Sequence, residues 1–170
     1  FYQKTGADYI EQAFVNAREV DKTADLYYND YNIEASAAKL QTMTEMLDGF
    51  AARAVPISGV GFQMHVYMDY PSITSIRAAF QKVVDRNLKV KITELDVPIN
   101  NPYSPTYQGG DVKTIYTLDL GLKQKKRYCE IVKAYMDTVP PHLRGGVTVW
   151  GVNDPSSWLI QQLFSNRHAD

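Results

Sequence analysis

The run Lys-Val-Lys-Ile-Thr-Glu-Leu-Asp-Val-Pro-Ile at residues 89–99 reads as a buried strand that carries two carboxylates, Glu94 and Asp96. Side chains alternate along a strand, so the pattern predicts Ile92, Glu94 and Asp96 on one face. Burying ionisable groups without partners is expensive, which makes this strand a candidate for chemistry.

Outward from it, helical and extended patterns take turns. Tyr9, Ile10, Ala13, Phe14 and Ala17 recur at helical spacing and predict a helix over 7–19. A strand is expected at 24–32, then a helical stripe of Leu40, Met43, Leu47 and Phe50 that ends near Ala54, with Pro56 as breaker. Residues 57–66 read as a second strand. Ile73, Ile76, Phe80 and Val84 mark a helix with Ser72 as its N-cap. After the 89–97 strand comes a long Pro-, Asn-, Tyr- and Gly-containing loop at 98–116, the kind of loop that usually serves function. A helix at 120–138 and a strand at 146–152 complete the order αβαβαβαβ.

Buried strands joined by helices run parallel, in either a doubly wound sheet or a (β/α)8 barrel. Polar residues fall at the C-terminal end of every strand: Asn29 to Asn32, Gln63 and His65, Glu94 and Asp96, and Trp150 to Asp154. No Gly-rich phosphate loop follows the first strand, which weakens a nucleotide-binding fold. Clustering at the C-terminal face is the habit of barrel enzymes, so the expected fold is a (β/α)8 TIM barrel. Such a barrel takes roughly 250 residues. Residues 1–170 are therefore expected to be the C-terminal part of one barrel domain, about strands five to eight. Alone they would expose two sheet edges and fold poorly.

Composition removes several other classes. A net charge of −1 gives no field for a polyanion, so nucleic acid is not an expected partner. Twelve Tyr and two Trp offer flat apolar faces with polar tips, which suit a sugar ligand as well as a core. The single cysteine, Cys129, permits neither an intramolecular disulfide nor a Cys-based metal site. No apolar run is long enough to span a membrane. Phe1 is not a natural start, and the chain opens as if mid-domain.

His65 and Gln63 sit at the end of the strand preceding Glu94. Neighbouring parallel strands would bring His65 within reach of both carboxylates, where it can donate to one and be oriented by the other. A metal cluster of His65, Glu94 and Asp96 is the competing reading. The surrounding Asn, Gln, Tyr and Trp recognise hydroxyls better than ions. Trp150 and Trp158 stand eight residues apart around a turn-rich loop, placed to wall a sugar or simply to pack that loop.

With these motifs assembled, the chain resembles glycoside hydrolase family 10, the endo-β-1,4-xylanases, and in detail those of the bacterial Cellvibrio and Pseudomonas type. The matching stretches are Leu-Tyr-Tyr-Asn-Asp-Tyr-Asn (26–32), Gly-Val-Gly-Phe-Gln-Met-His (59–65), Ile-Thr-Glu-Leu-Asp-Val (92–97) and Gly-Gly-Val-Thr-Val-Trp-Gly (145–151), with Trp158 as a fifth point. The resemblance implies a retaining hydrolase of xylan with Glu94 as nucleophile and His65 and Asp96 orienting it. It implies Gln63 on the glycone side, and Trp150 and Trp158 around the subsite of cleavage. Asn32, Tyr70 and Tyr103 would line the aglycone subsites.

The same resemblance implies no cofactor and a monomer; a secreted, extracellular location, or one in the periplasm or on the outer surface of a bacterium, is expected from substrate size, since xylan cannot enter a cell. The family's acid/base Glu, in an Asn-Glu pair ending strand four, has no counterpart here. Glu34 of Asn-Ile-Glu matches another family position, so the segment alone is expected to be inactive. A related barrel glycosidase acting on glucan or mannan, and a non-catalytic sugar-binding fragment, remain as alternatives. Asn100, Asn101 and Asp111 could offer oxygens to calcium, but their spacing is not specific, and a solvated loop is the better reading.

Overall fold

The computed structural model describes Gly6, residues 8–99 and residues 116–158. Four strands, β1 (Tyr27–Asp30), β2 (Gly59–Phe62), β3 (Lys89–Leu95) and β4 (Arg144–Val149), pair in parallel in the order β1-β2-β3-β4. Helix α1 (Tyr9–Val20) leads into β1. Helices α2 (Ala37–Ala52), α3 (Ile73–Val84) and α4 (Leu118–Thr138) form the crossovers, as parallel pairing requires.

Local signals set the helix boundaries. Ser36, Ser72 and Thr117 cap α2, α3 and α4 by accepting from Lys39, Ser75 and Leu120 N–H groups. Asp21 stops α1 and folds the exit with its carboxylate, which accepts from Thr23 N–H, the Thr23 hydroxyl and Ala24 N–H at 2.8–2.9 Å. Strands β1 and β2 are shorter than the sequence pattern predicts. Asn32 and Met64 adopt left-handed φ values of 57° and 65°, which take the chain out of the ladder.

The main core lies between the sheet and its helices. Val60, Phe62, Val90 and Ile92 point outward from β2 and β3 onto Ile76, Ala79, Phe80 and Val83 of α3, and onto Ile131, Ala134 and Tyr135 of α4. Phe80 sits edge-on to Phe62 at 5.0 Å and to Tyr135 at 5.8 Å between ring centres. Such pairs are worth about 0.5–1.5 kcal/mol each beyond the area they bury. Tyr135 satisfies its hydroxyl by donating to Val90 O and accepting from Gly146 N–H. In β2 every residue is buried, as a strand covered on both faces should be.

On the concave face, large and absent side chains alternate between strands. Tyr27 and Asn29 of β1 stand beside Gly59 and Gly61 of β2. A Cβ at Gly59 would meet Tyr27 Cε1 at 2.7 Å, and one at Gly145 would meet Tyr27 Oη at the same distance. Tyr27 therefore lies across β2 and β3 and reaches β4. Filling an interior from alternate strands is how a parallel barrel packs its layers. Among the described residues, strands β1 and β4 each have one neighbour, and β4 leaves Val147 40% and Val149 58% exposed.

One expectation fails in β3, and the failure matters. Ile92 is wholly buried in the outward core, whereas Glu94 faces inward. A bulge between Ile92 and Leu95 places three residues of β3 against two of β4. It turns Thr93 and Glu94 to the same side, where both bond Asn29. Bulges of this kind re-aim side chains beside active sites.

Candidate functional site

The C-terminal ends of the strands bring His65, Glu94 and Asp96 into one row. His65 Nδ1 lies 3.0 Å from Asp96 Oδ2, and Nε2 lies 3.3 Å from Glu94 Oε2. A neutral imidazole has one N–H, so it would turn a lone pair toward one of the two carboxylates. Only the imidazolium donates to both. Burial opposes charging of the ring, but the hydrogen bond and charge of Asp96, followed by the charge of Glu94, outweigh it and raise the pKa of His65. Both ring nitrogens of His65 are engaged by carboxylates.

Each oxygen of Glu94 has its own donor. Asn29 Nδ2 donates to Oε1 at 3.3 Å, and His65 holds Oε2. Asn29 is oriented in turn by the Thr93 hydroxyl, which donates to its Oδ1 at 2.7 Å. That arrangement needs Gly61 between the two strands, because a Cβ there would sit on Asn29 Oδ1. Asp96 is buried, and its Oδ2 also accepts the indole N–H of Trp158 at 2.8 Å. Trp158 thus acts on the carboxylate row as well as facing the site. Its ring stands edge-on to His65 at 5.2 Å, and that of Trp150 at 6.4 Å. Trp150 is half exposed, as a surface waiting for a flat ligand would be.

The flanking loops carry the remaining expected residues. Asn32 stands exposed in the turn after β1, and its carbonyl accepts from Ala35 and Ser36 N–H. Tyr70 reaches across from the β2–α3 loop, donating from its hydroxyl to Ala35 O at 2.7 Å while its ring stays half exposed. Gln63 is partly buried at the end of β2, where its N–H donates to Asp30 O. Tyr103 and the calcium candidates Asn100, Asn101 and Asp111 lie outside the described residues. The β1–α2 loop is pinned by Lys39, which bonds Asp30 Oδ1 at 2.8 Å and Tyr31 O at 2.7 Å.

Glu34 gives a second kind of information. It is 3% exposed, and neither carboxyl oxygen has a hydrogen-bond partner. Burial, opposed by the charges of His65 and Lys39, pushes its pKa up to about 7. That value would suit a general acid, but a side chain so enclosed cannot reach a substrate. Asp96 and Glu94 are both committed to His65. None of these three carboxyls is therefore placed to protonate a leaving group.

Two supporting residues escape the sequence reading as members of the site: Asn29 and Thr93. The sequence marks Asn29 only as one polar residue at a strand end. Its signal was the pairing of a polar inward position with a glycine on the next strand, which leaves a path to the strand beyond.

Known proteins share this sequence and fold. The sequence profile described as "Glycosyl hydrolase family 10" matches residues 1–169. Endo-beta-1,4-xylanase Xyn10C of Cellvibrio japonicus is 54% identical over 161 residues, covering 94% of this chain and 26% of that protein. A solved xylanase 10C variant from the same organism, in complex with xylopentaose, superposes with a TM-score of 0.92 at 50% identity, covering 100% of this chain and 34% of its own. A thermostable mutant of Xyn10A from Cellvibrio japonicus superposes with a TM-score of 0.85 at 49% identity, covering 94% of this chain and 48% of its own. The chain thus spans about a quarter of the length of that sequence relative and between a third and a half of those structures. The fold expected from the sequence, a (β/α)8 barrel with this chain as about strands five to eight, is the family's fold. With its profile match, its parallel four-strand arc and its carboxylate–histidine–carboxylate row, the chain belongs to glycosyl hydrolase family 10.

Proposed function

We propose that residues 1–170 are the C-terminal part of a single catalytic barrel that hydrolyses internal β-1,4 bonds of xylan with retention of configuration, and that they supply its nucleophile. The observation that carries this is the clamping of His65 between Glu94 and Asp96, with Asn29 on the other oxygen of Glu94. Two donors on one carboxylate fix its direction, which is what attack at a single carbon needs.

In the proposed reaction, a Glu94 oxygen forms a bond to the anomeric carbon as the bond to the leaving sugar oxygen breaks. That oxygen takes a proton from an acid/base glutamate supplied from outside this chain. Water, deprotonated by the same group, then attacks the anomeric carbon and releases Glu94. Two inversions give net retention. Asp96 and Trp158 hold His65, and His65 holds Glu94. Trp150 and Trp158 offer ring faces to the sugar at the point of cleavage, and Gln63 lies on the glycone side. Asn32 and Tyr70 line the aglycone side, a role the family resemblance also assigns to Tyr103. No cofactor enters any step. Because xylan is a polymer too large to enter a cell, the enzyme acts outside it, and the proposed barrel works as a monomer.

The test uses the catalytic domain that contains this chain. New reducing ends are measured on xylan and on carboxymethylcellulose, and the anomer first formed from xylopentaose is followed by NMR. Cleavage of xylan well above carboxymethylcellulose, with the β-anomer appearing first, is expected. Preference for the glucan would move the substrate assignment, and an α-anomer first would exclude a covalent intermediate on Glu94.

A further inference from the structure

The ends of β2 and β3 are held from behind by one stripe of α4. Gln124, Arg127 and Tyr128 are spaced i, i+3, i+4 and project from one side of that helix. All three bond backbone groups. Gln124 Nε2 donates to Val97 O at 2.7 Å, and the Tyr128 hydroxyl accepts from Val97 N–H at 3.2 Å. Val97 lies just beyond the last bridge of the sheet, His65 to Asp96, so two helix side chains satisfy groups that a strand neighbour would otherwise bond.

Arg127 does something different. Its Nε donates to Tyr67 O at 3.0 Å, and its Nη2 donates to Pro71 O. The side chain is 4% exposed, and among the described residues no carboxylate bonds it. Burial outweighs the opposing charges of Glu130 and Asp69 at this guanidinium, a desolvation cost that helix packing does not require, since a Met of similar length would fill the space without it. What the guanidinium fork supplies is geometry. It fixes the spacing of two carbonyls that bracket Met68, Asp69 and Tyr70.

Inside that bracket, Tyr67 N–H donates to Tyr70 O at 2.7 Å, and the Tyr70 hydroxyl donates to Ala35 O at 2.7 Å. Ala35 belongs to the turn whose N–H groups bond the Asn32 carbonyl. A continuous path of hydrogen bonds therefore runs from α4 through Tyr70 to Asn32. Glu94 stands on separate supports, His65 and Asn29, with Thr93 behind Asn29. Arg127 bonds none of them.

We propose that Arg127 is a positioning residue that sets where Tyr70 stands and, through Ala35, where Asn32 stands, and so governs binding of the sugars beyond the scissile bond. The inference rests on the aglycone placement of Tyr70 and Asn32 proposed above. Its signature is selectivity between substrates, which a general loss of fold would not produce.

The experiment compares kcat/KM for xylopentaose, which fills aglycone subsites with sugar, against kcat/KM for an aryl β-xylobioside, whose aglycone is one aromatic ring. The proteins are the catalytic domain, Arg127→Met, Arg127→Lys, Tyr70→Ala, and the Tyr70→Ala/Arg127→Met double variant. Arg127→Met is expected to lower the xylopentaose-to-aryl ratio about tenfold, mostly through KM. Arg127→Lys, which can serve one carbonyl well but not both, should lower it about threefold. Adding Arg127→Met to Tyr70→Ala should change the ratio less than twofold, because both act through the same ring.

An unmoved ratio, equal losses on both substrates, or independent multiplication in the double variant overturns the inference while the functional reading stands. If Arg127→Met does not fold, an Arg127→Lys ratio equal to that of the unmodified domain overturns it. If the unmodified domain cleaves neither substrate, the functional reading fails, and the inference with it.

Discussion

Replacing Gly61 with Ala should reach Glu94 without touching it. The added methyl would sit on Asn29 Oδ1 and 3.0 Å from Thr93 Cγ2. Those are flexible side-chain atoms, so the backbone can stay in place while Asn29 is pushed aside. Asn29 then loses the bond from Thr93, a neutral pair worth about 1 kcal/mol, and the bond to Glu94, a charged one worth about 1.5–3 kcal/mol. Glu94 keeps His65 but can swing about it. If about half of that loss is expressed in the transition state, kcat/KM falls about 10- to 30-fold, since about 1.4 kcal/mol corresponds to tenfold. The assay is hydrolysis of an aryl β-xylobioside by the catalytic domain, with thermal melting as a check on fold. Asn29→Ala serves as the partner in a double-mutant cycle. It removes the obstruction, so Gly61→Ala/Asn29→Ala should be no slower than Asn29→Ala alone. Unchanged kinetics in Gly61→Ala, or losses that simply multiply in the double variant, would refute the argument.

Trp158→Phe keeps a ring beside His65 but removes the N–H that Asp96 accepts, and should lower kcat/KM about tenfold with little change in melting temperature; a loss under twofold would show that the indole serves only as a surface. NMR titration of the His65 ring should give a midpoint above the ordinary value of 6.5, and a lower midpoint would contradict a ring that donates to both carboxylates. Glu34, with its pKa of about 7 against 4.5 for a free carboxyl, binds its proton more tightly in the folded state. Its contribution to stability is therefore complete below pH 4.5 and is lost as pH rises through 7, by about 3 kcal/mol. Glu34→Gln should flatten that part of the stability profile in denaturant melts, whatever its offset at low pH; an unchanged slope between pH 4.5 and 7 would show that Glu34 is solvated.

Much of this arrangement was legible in the chain itself. Helical periodicity located every crossover, and Ser72 was readable as a cap because a hydroxyl before an apolar run has one obvious use. The His65–Glu94–Asp96 row followed from the clustering of polar residues at strand ends. The bulge in β3 did not. Strict alternation placed Ile92 beside Glu94, and nothing in Ile-Thr-Glu-Leu-Asp shows that the pleat slips by one residue, because the slip is enforced by pairing with β4. Asn29 and Arg127 were hidden for a related reason. Their partners lie 65 and 56–60 residues away, and only the folded sheet brings them together. Trp158 was readable as an aromatic wall from its flat ring. Its bond to Asp96 depends on where the loop after β4 returns, which spacing alone does not fix.

The central claim is that Glu94 is the nucleophile of a retaining xylan hydrolase. The most direct measurement uses a 2-deoxy-2-fluoro-xylobioside with a good leaving group. Such a substrate slows both steps but departs quickly enough to leave the glycosyl-enzyme trapped. Mass mapping of the peptides should place a single xylobiosyl adduct on Glu94 in the stretch 91–98, and the Glu94→Gln variant should carry none. An adduct on any other carboxylate, or inactivation with no adduct at all, would contradict the account.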